Sequence, residues 1–129
     1  MSMTTTAHLI AEARGRIENL SPSAVAAELE SGDVLLVDIR EAEERAQHGC
    51  IPGAIHTSRG MLEFYADPTS AYHRPGFDPR SRIILYCASG GRSALAADML
   101  QILGYDRIAH LDGGLKAWRE VGLPVVTGT

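Results

Sequence analysis

Two short apolar runs constrain the fold of this chain more than any other feature. Residues 34–39 read VLLVDI and residues 82–86 read RIILY, and both are rich in β-branched side chains. A strand carries such a run when both of its faces are covered, as in a parallel sheet between layers of helices. The runs alternate with helical patterns, so the sequence predicts an α/β fold with a central, mostly parallel sheet flanked by helices on both faces.

Helix boundaries are indicated by apolar spacing and by end signals. Ser21 is expected to cap a helix that starts at Pro22 and ends before Gly32. A peripheral amphipathic helix is expected over residues 7–16, with Leu9, Ile10 and Ala13 on one side. Other helices are predicted over residues 41–47, 92–103 and 115–121, and the second of these has Leu95, Met99 and Ile102 at helical spacing. Residues 51–55 are expected to form a turn into a brief strand, and residues 107–111 another short strand.

Length and composition favour one compact unit. The chain has 129 residues, of which 45% are hydrophobic, enough for a single core. We therefore expect a helical arm over residues 1–16 and one domain over residues 17–129. The formal charge of −4 argues against nucleic acid or an anionic membrane as a partner. No apolar run could span a bilayer and the N-terminal residues do not resemble a secretory signal, so a cytoplasmic location is predicted.

Only two cysteines occur, Cys50 and Cys87. Two cysteines are too few for a disulfide framework and, without a cluster of further ligands, too few for a structural zinc site. The histidines show no metal-ligand spacing either, so no metal is expected. If a cysteine has a function, the chemistry is expected to be that of a thiol.

Cys87 stands at the most informative position of the chain. It follows a predicted buried strand directly, and a glycine-containing loop and a helix start come next, at Gly90, Gly91 and Arg92. Ligands of parallel α/β sheets bind beyond the carboxyl ends of the strands. Backbone N–H groups that converge there, together with the helix dipole and the Arg92 guanidinium, would favour a thiolate. The pattern predicts a nucleophilic Cys87 at the rim of an anion-binding loop.

Less specific interpretations of these residues stay open. Cys87 could be a small buried hydrophobic residue at a strand end. The positive charge of Arg92 at a helix start requires an anion, which could be the substrate or a neighbouring carboxylate. Ser93 could hydrogen-bond the Cys87 sulfur or simply cap the helix.

Four segments follow one another along the chain: VDIRE (residues 37–41), HGCIPGA (48–54), CASGGRS (87–93) and LDGGLKAW (111–118). In this order they resemble the rhodanese family of sulfurtransferases over nearly the whole chain after the N-terminal arm. Residues 37–41 (VDIRE) resemble the family's D-x-R-E segment, and residues 48–54 (HGCIPGA) resemble its G-H-I-P-G-A turn. Residues 87–93 (CASGGRS) match the C-x-x-G-x-R-S active loop, and residues 111–118 (LDGGLKAW) match the D-G-G…W segment. The family's central parallel sheet agrees with the pattern found above.

The resemblance implies transfer of a sulfane sulfur through a persulfide on Cys87. The donor would be a small anion such as thiosulfate, and the acceptor cyanide or a thiol, including a protein thiol; no cofactor is implied. The family's active loop maps onto residues that would hold the substrate: Ala88, Ser89, Gly90, Gly91, Arg92 and Ser93. Asp38 and Arg40 would give structural support by bonding nearby loops.

Two other functions are kept as alternatives. The domain could be a persulfide carrier that serves one protein partner without turnover. Cysteine-dependent phosphatases and arsenate reductases also use a Cys-loop-Arg cradle, but with C-x5-R spacing. Here the spacing from Cys87 to Arg92 is C-x4-R, which makes a smaller ring of amides.

Several residues outside the active loop carry weaker hypotheses. Cys50 stands where the family usually has histidine, and it could resolve a persulfide on Cys87 or be a buried inert thiol. The long segment of residues 57–82, with four of the aromatic residues, could form a wall over a pocket or be pinned to the core by its rings. Within it, Glu63 and His73 could shape the entry of an acceptor.

Overall fold

The computed structural model describes residues 3–128, which form a sheet of five strands with helices on both faces. The strands are β1 (Glu18–Leu20), β2 (Leu35–Asp38), β3 (Ile55–His56), β4 (Ile83–Tyr86) and β5 (Ile108–Leu111). The helices are α1 (Thr6–Arg14), α2 (Pro22–Ser31), α3 (Ala42–His48), α4 (Leu62–Ala66), α5 (Gly91–Ile102) and α6 (Gly114–Glu120).

All strand pairs are parallel, in the order β1-β5-β4-β2-β3. The predicted α/β fold is therefore confirmed. The apolar β4 lies at the centre, where all four of its residues are buried. The sequence analysis missed β1, because two of its three residues, Glu18 and Asn19, are polar and exposed, and the strand is too short to show an apolar pattern. Within residues 3–128, no helix is both long and apolar enough to cross a membrane.

The sheet separates two apolar layers, because successive side chains of a strand point to opposite faces. On one face, Ile83 and Leu85 pack with side chains of α4 and α5. On the other face, Ile84 and Tyr86 pack with side chains of α2 and α6, including Trp118. This alternation explains why β4 is hydrophobic throughout.

The predicted boundaries of α2 are confirmed. Ser21 Oγ accepts a hydrogen bond from the Ala24 N–H at 3.2 Å, Pro22 occupies the first helical position, and the helix ends at Gly32. Gly32 has a φ of +78°, a left-handed conformation that glycine adopts without steric cost.

The apolar spacing predicted for α5 marks its outer face, and not the buried one. Ile102 is 73% exposed and Met99 is 36% exposed, whereas Ala96, Ala97 and Leu100 are fully buried. Small alanine side chains allow α5 to approach the sheet closely. A similar difference occurs in α1, where Leu9 is exposed and Ala13 is the buried residue.

The segment of residues 57–82 contains one 3₁₀ turn (Arg59–Met61), α4 and a series of turns. Only two of its four aromatic residues pack against the core, as the pinning interpretation expects. Phe77 is buried in the core and Tyr65 packs against it, so these two rings pin the segment. Phe64 and Tyr72 are exposed and form an edge-to-face pair with ring centroids 6.2 Å apart.

Candidate active site

Cys87 lies at the carboxyl end of the central strand, where β4 ends and three residues lead into α5. Asp38, the last residue of β2, pairs with Tyr86 in the register of the sheet. The carboxyl ends of β2 and β4 therefore lie side by side, so Asp38 lies next to the loop that begins at Cys87. This edge is where parallel sheets bind ligands.

Two backbone amides point at the Cys87 sulfur. The N–H of Gly90 donates to Sγ at 3.1 Å and the N–H of Ser93 donates at 3.4 Å. Gly90 allows the loop to turn so that both amides face the sulfur, because its φ of +106° is strained for any residue with a side chain. Amide donors of this kind stabilise a thiolate relative to a thiol.

Cys87 is enclosed beneath the loop and does not lie exposed at its rim as expected. Only 1% of the residue is accessible to solvent, because the loop folds the Gly90 and Ser93 amides over the sulfur. The burial fits the alternative of an inert core cysteine, but that alternative does not account for two N–H groups aimed at Sγ. Cys87 also packs within the same apolar layer as α5.

The Ser93 hydroxyl connects the sulfur to a buried histidine. Cys87 Sγ lies 3.5 Å from Ser93 Oγ, which lies 2.8 Å from His110 Nδ1. His110, on β5, is fully buried, and burial lowers its pKa to about 4. The sequence analysis gave His110 no role near Cys87, and only its place at the carboxyl end of a predicted strand could have indicated one.

Arg92 is neutralised by a carboxylate of α3. Its guanidinium donates two hydrogen bonds to Glu44, at 2.7 and 2.9 Å, so a neighbouring carboxylate compensates this charge. The hydrogen bonds from Arg92, a further hydrogen bond from the Glu41 N–H and the positive charge of Arg92 lower the pKa of Glu44 to about 2, against a smaller opposing effect of burial.

Asp38 is the centre of a buried network next to the loop. Its carboxylate accepts hydrogen bonds from the Arg40 guanidinium at 3.0 and 2.8 Å, from Arg45 at 2.8 Å and from the Tyr86 hydroxyl at 2.9 Å. Burial alone would raise the pKa of Asp38, but the hydrogen bonds and charge of Arg40 outweigh it, so that pKa lies below its ordinary value. Arg40 also donates to the Gly49 carbonyl at 2.7 Å, which ties the turn after α3 to β2. Sequence reasoning found Asp38 and Arg40 but missed Arg45 and Tyr86.

The N-terminus of α6 packs directly against the Cys87 loop. The N–H of Leu115 donates to the Cys87 carbonyl at 2.9 Å, and the N–H of Lys116 donates to the Ala88 carbonyl at 3.0 Å. A side chain at Gly114 would begin 2.6 Å from these same backbone atoms. The D-G-G segment therefore holds the active loop by close backbone contact.

A cavity of about 240 Å³ opens beside the loop. Ala88 forms one wall, and basic groups on the neighbouring elements give the cavity positive charge that Glu44 offsets in part. Its lining residues are Arg40, Glu44, His48, Ala88, Leu115, Lys116 and Arg119.

Other residues singled out from the sequence lie outside this arrangement. Cys50 is buried and free, and its backbone pairs with Val126. Glu63 accepts a hydrogen bond from Arg59, and His73 is bonded to the Phe77 carbonyl, so both are held within the segment of residues 57–82. Their effect on acceptor entry stays a prediction. Within residues 3–128, no group of three or more His, Cys, Asp or Glu side chains is arranged to hold a metal ion.

Comparisons with known proteins agree with the geometry. The family model of the rhodanese-like domain matches residues 21–121. A sulfurtransferase from Allochromatium vinosum is 40% identical over 95 residues, which cover 73% of this chain and 79% of that protein.

Solved structures extend the likeness to the whole fold. A protein of unknown function from Rhodopseudomonas palustris, described as a possible tyrosine phosphatase, has a TM-score of 0.90 and 41% identity over 98% of this chain and 99% of its own. The polysulfide-sulfur transferase homodimer of Wolinella succinogenes has a TM-score of 0.74 and 29% identity over 92% of this chain and 84% of its own. Because the family model spans most of the sequence and the Allochromatium protein is related over 73% of this chain, the chain belongs to the rhodanese-like family.

Proposed function

We propose that the protein is a sulfurtransferase that moves a sulfane sulfur from a small anionic donor such as thiosulfate to a thiol or cyanide acceptor. One observation carries the proposal: the Gly90 and Ser93 N–H groups converge on Cys87 Sγ at the carboxyl end of the central strand. Membership of a family that includes a sulfurtransferase adds support.

The reaction consists of two displacements at sulfur. The Cys87 thiolate attacks the outer sulfur of thiosulfate, a new S–S bond forms, and sulfite leaves with the electron pair of the broken bond. The acceptor thiolate or cyanide then attacks the outer sulfur of the persulfide, and the Cys87 thiolate leaves. Negative charge develops or moves at the loop in each step, and the backbone amides and side chains of residues 88–93 would stabilise it. No cofactor enters this scheme.

The donor class follows from the charge around the loop. Arg92, Lys116 and Arg119 lie near the loop or line the cavity beside it, so an anion is favoured there. The Wolinella relative is named for polysulfide, a second anionic donor of the same chemical kind. We therefore expect both thiosulfate and polysulfide to load Cys87.

A phosphatase function is less well supported. The Rhodopseudomonas structure carries that description as a possibility. The loop from Cys87 to Arg92 holds four intervening residues, one fewer than phosphatase loops, and two N–H groups of this region are directed at the sulfur itself.

Mass spectrometry of the intact protein after incubation with thiosulfate tests the proposal. We expect one added sulfur atom in the wild type and in Cys50→Ser, a matched control at the other buried thiol, and none in Cys87→Ser. A sulfur atom that still adds to Cys87→Ser would overturn the assignment of the nucleophile.

Turnover separates the remaining alternatives. Release of sulfite with cyanide or a thiol in excess over enzyme indicates a sulfurtransferase. A persulfide that forms on Cys87 without such turnover indicates a carrier. Hydrolysis of p-nitrophenyl phosphate that depends on Cys87, with no persulfide formed, indicates a phosphatase.

A further inference from the structure

A line of hydrogen bonds runs from Cys87 through the buried Ser93 and His110 to Asn19, which is exposed. Its distances are 3.5 Å from Cys87 Sγ to Ser93 Oγ, 2.8 Å from Oγ to His110 Nδ1, and 2.8 Å from His110 Nε2 to Asn19 Oδ1. Ser93 and His110 are both fully buried. The line crosses from α5 through β5 to the edge strand β1, and the sulfur-transfer scheme above does not use it.

The orientation of the Asn19 amide determines which group donates and which accepts in each hydrogen bond of this line. Asn19 Nδ2 donates to the carbonyl oxygens of Arg14 at 2.9 Å and Ile17 at 3.3 Å, which fixes the amide so that Oδ1 faces His110. His110 Nε2 must then carry the proton, and Nδ1 is left as an acceptor.

Because Nδ1 of His110 is an acceptor, the Ser93 hydroxyl donates to His110 and can only accept from the Cys87 sulfur. The Ser93 hydroxyl proton points to His110 at 2.8 Å in preference to the Gly90 carbonyl at 3.3 Å. A lone pair of Oγ therefore faces Cys87, so the thiol is the donor of the 3.5 Å contact. The buried thiol proton thus has a hydrogen-bonded route that ends on the imidazole nitrogen Nδ1.

From this polarity we infer that His110 is the proton acceptor of Cys87 and acts as a positioning residue through Ser93. The S–H bond of Cys87 breaks as its proton passes to Ser93 Oγ, and the Ser93 hydroxyl proton passes to His110 Nδ1. The products are a thiolate and an imidazolium, with no change of oxidation state. Ser93 Oγ–H then points at the sulfur, so the thiolate gains a third donor beside the Gly90 and Ser93 amides. The inference rests on the proposed use of Cys87 as a nucleophile.

The charges around His110 are compatible with this role. Burial lowers the pKa of His110 to about 4, so the ring is neutral at neutral pH and burial opposes its protonation, a cost that the negative charge of the Cys87 thiolate must offset. Asp112, just after β5, raises that pKa and Arg14 of α1 lowers it, and these two side chains are paired with each other at 3.0 Å. On the sulfur side the facing charge is Arg92, which Glu44 neutralises. The Cys87 thiolate itself is the counter-ion that appears as His110 is protonated.

The pH dependence of Cys87 alkylation by iodoacetamide, followed on the Cys87 peptide by mass spectrometry, tests the inference in the full-length protein. The key variant is His110→Gln, because glutamine can accept from Ser93 and donate to Asn19 but cannot take up a proton. We expect the midpoint of the profile to rise and the rate at pH 7 to fall by about tenfold or more. The surface variant His8→Gln is the control and should match the wild type.

Ser93→Ala provides a second route if His110→Gln does not fold. It removes the hydroxyl link, so it should raise the midpoint to a similar extent, and the double variant should be no slower than either single variant. A wild-type profile in a folded His110→Gln or Ser93→Ala would overturn the inference. Alkylation requires no sulfur donor, so it tests the role of His110 separately from sulfur transfer. If the pH profiles shift as expected but no persulfide forms on Cys87, only the proposed function is overturned.

Discussion

At the scale of single residues, the charge of Arg92 next to the Cys87 loop is balanced by Glu44. Arg92 and Glu44 form two charge-assisted hydrogen bonds, yet both side chains are partly exposed. A partly exposed ion pair contributes little to stability. We therefore propose that this pair beside Cys87 serves ligand binding, and that an anionic donor competes with Glu44 for the guanidinium of Arg92.

Opposite changes at this pair should have opposite effects on donor binding. Arg92→Ala removes the cation and should raise the KM for thiosulfate by about tenfold, the value of one charge-assisted hydrogen bond. Glu44→Gln removes the competing charge, while its amide oxygen can still accept from the Glu41 N–H, so the KM should fall. Steady-state sulfite release measures both. If neither substitution changes the KM, Arg92 serves only to hold α3 against α5.

At the scale of elements, the active loop is supported by the start of α6. Leu115 and Lys116 donate to the carbonyls of Cys87 and Ala88, and Gly114 lies against the same atoms. Helix α6 thus fixes the backbone that aims the Gly90 and Ser93 amides, so the geometry around the sulfur depends on an element that follows it by more than twenty residues.

Gly114→Ala should disrupt the loop from this side. The new Cβ would lie 2.6 Å from backbone atoms of Cys87 and Ala88, and the φ of +61° adds strain. Gly122→Ala is the matched control, since Gly122 has a φ of +80° but its new Cβ would meet nothing within 4 Å. We expect a loss of about 1 kcal/mol in the control and a further loss of roughly 1–3 kcal/mol in Gly114→Ala. Urea unfolding measures the stabilities, and only Gly114→Ala should also slow alkylation of Cys87.

How far the sequence predicts this molecule depends on the kind of signal each element carries. The buried β2 and β4 and the capped α2 were predicted, because continuous apolar runs and end signals are local. The spacing of apolar residues predicted the helix α5 but does not mark its buried face, because small alanines face the core while Met99 and Ile102 are exposed. Cys87 and its loop were found through one contiguous motif, whereas Glu44, Tyr86 and His110 join the site from other elements and carry no local mark.

At the scale of the whole molecule, stability at low pH links the site to the fold. Several carboxylates that hold elements together have lowered pKa values: Asp38 joins β2 to α3 and β4, Glu44 joins α3 to α5, and Asp112 joins the end of β5 to α1. Each such group stabilises the fold above its unfolded pKa and loses that contribution as pH falls through the folded value. For Glu44 this window extends from about 4.5 down to about 2, but its contribution is small because the pair with Arg92 is partly exposed.

His110 should produce a separate loss of stability at milder acidity. Its pKa lies at about 4 in the fold and 6.5 in the unfolded chain, so between these values the unfolded chain binds a proton that the folded chain does not. Stability should therefore fall as pH decreases from about 6.5 to 4, by up to about 3 kcal/mol, before the carboxylates titrate. Urea unfolding at intervals from about pH 7.5 to 3 measures this, with His110→Gln expected to be flat in the upper window and His8→Gln to follow the wild type. A wild type that is flat between pH 6.5 and 4 would show that burial of a neutral imidazole does not limit the stability of this fold.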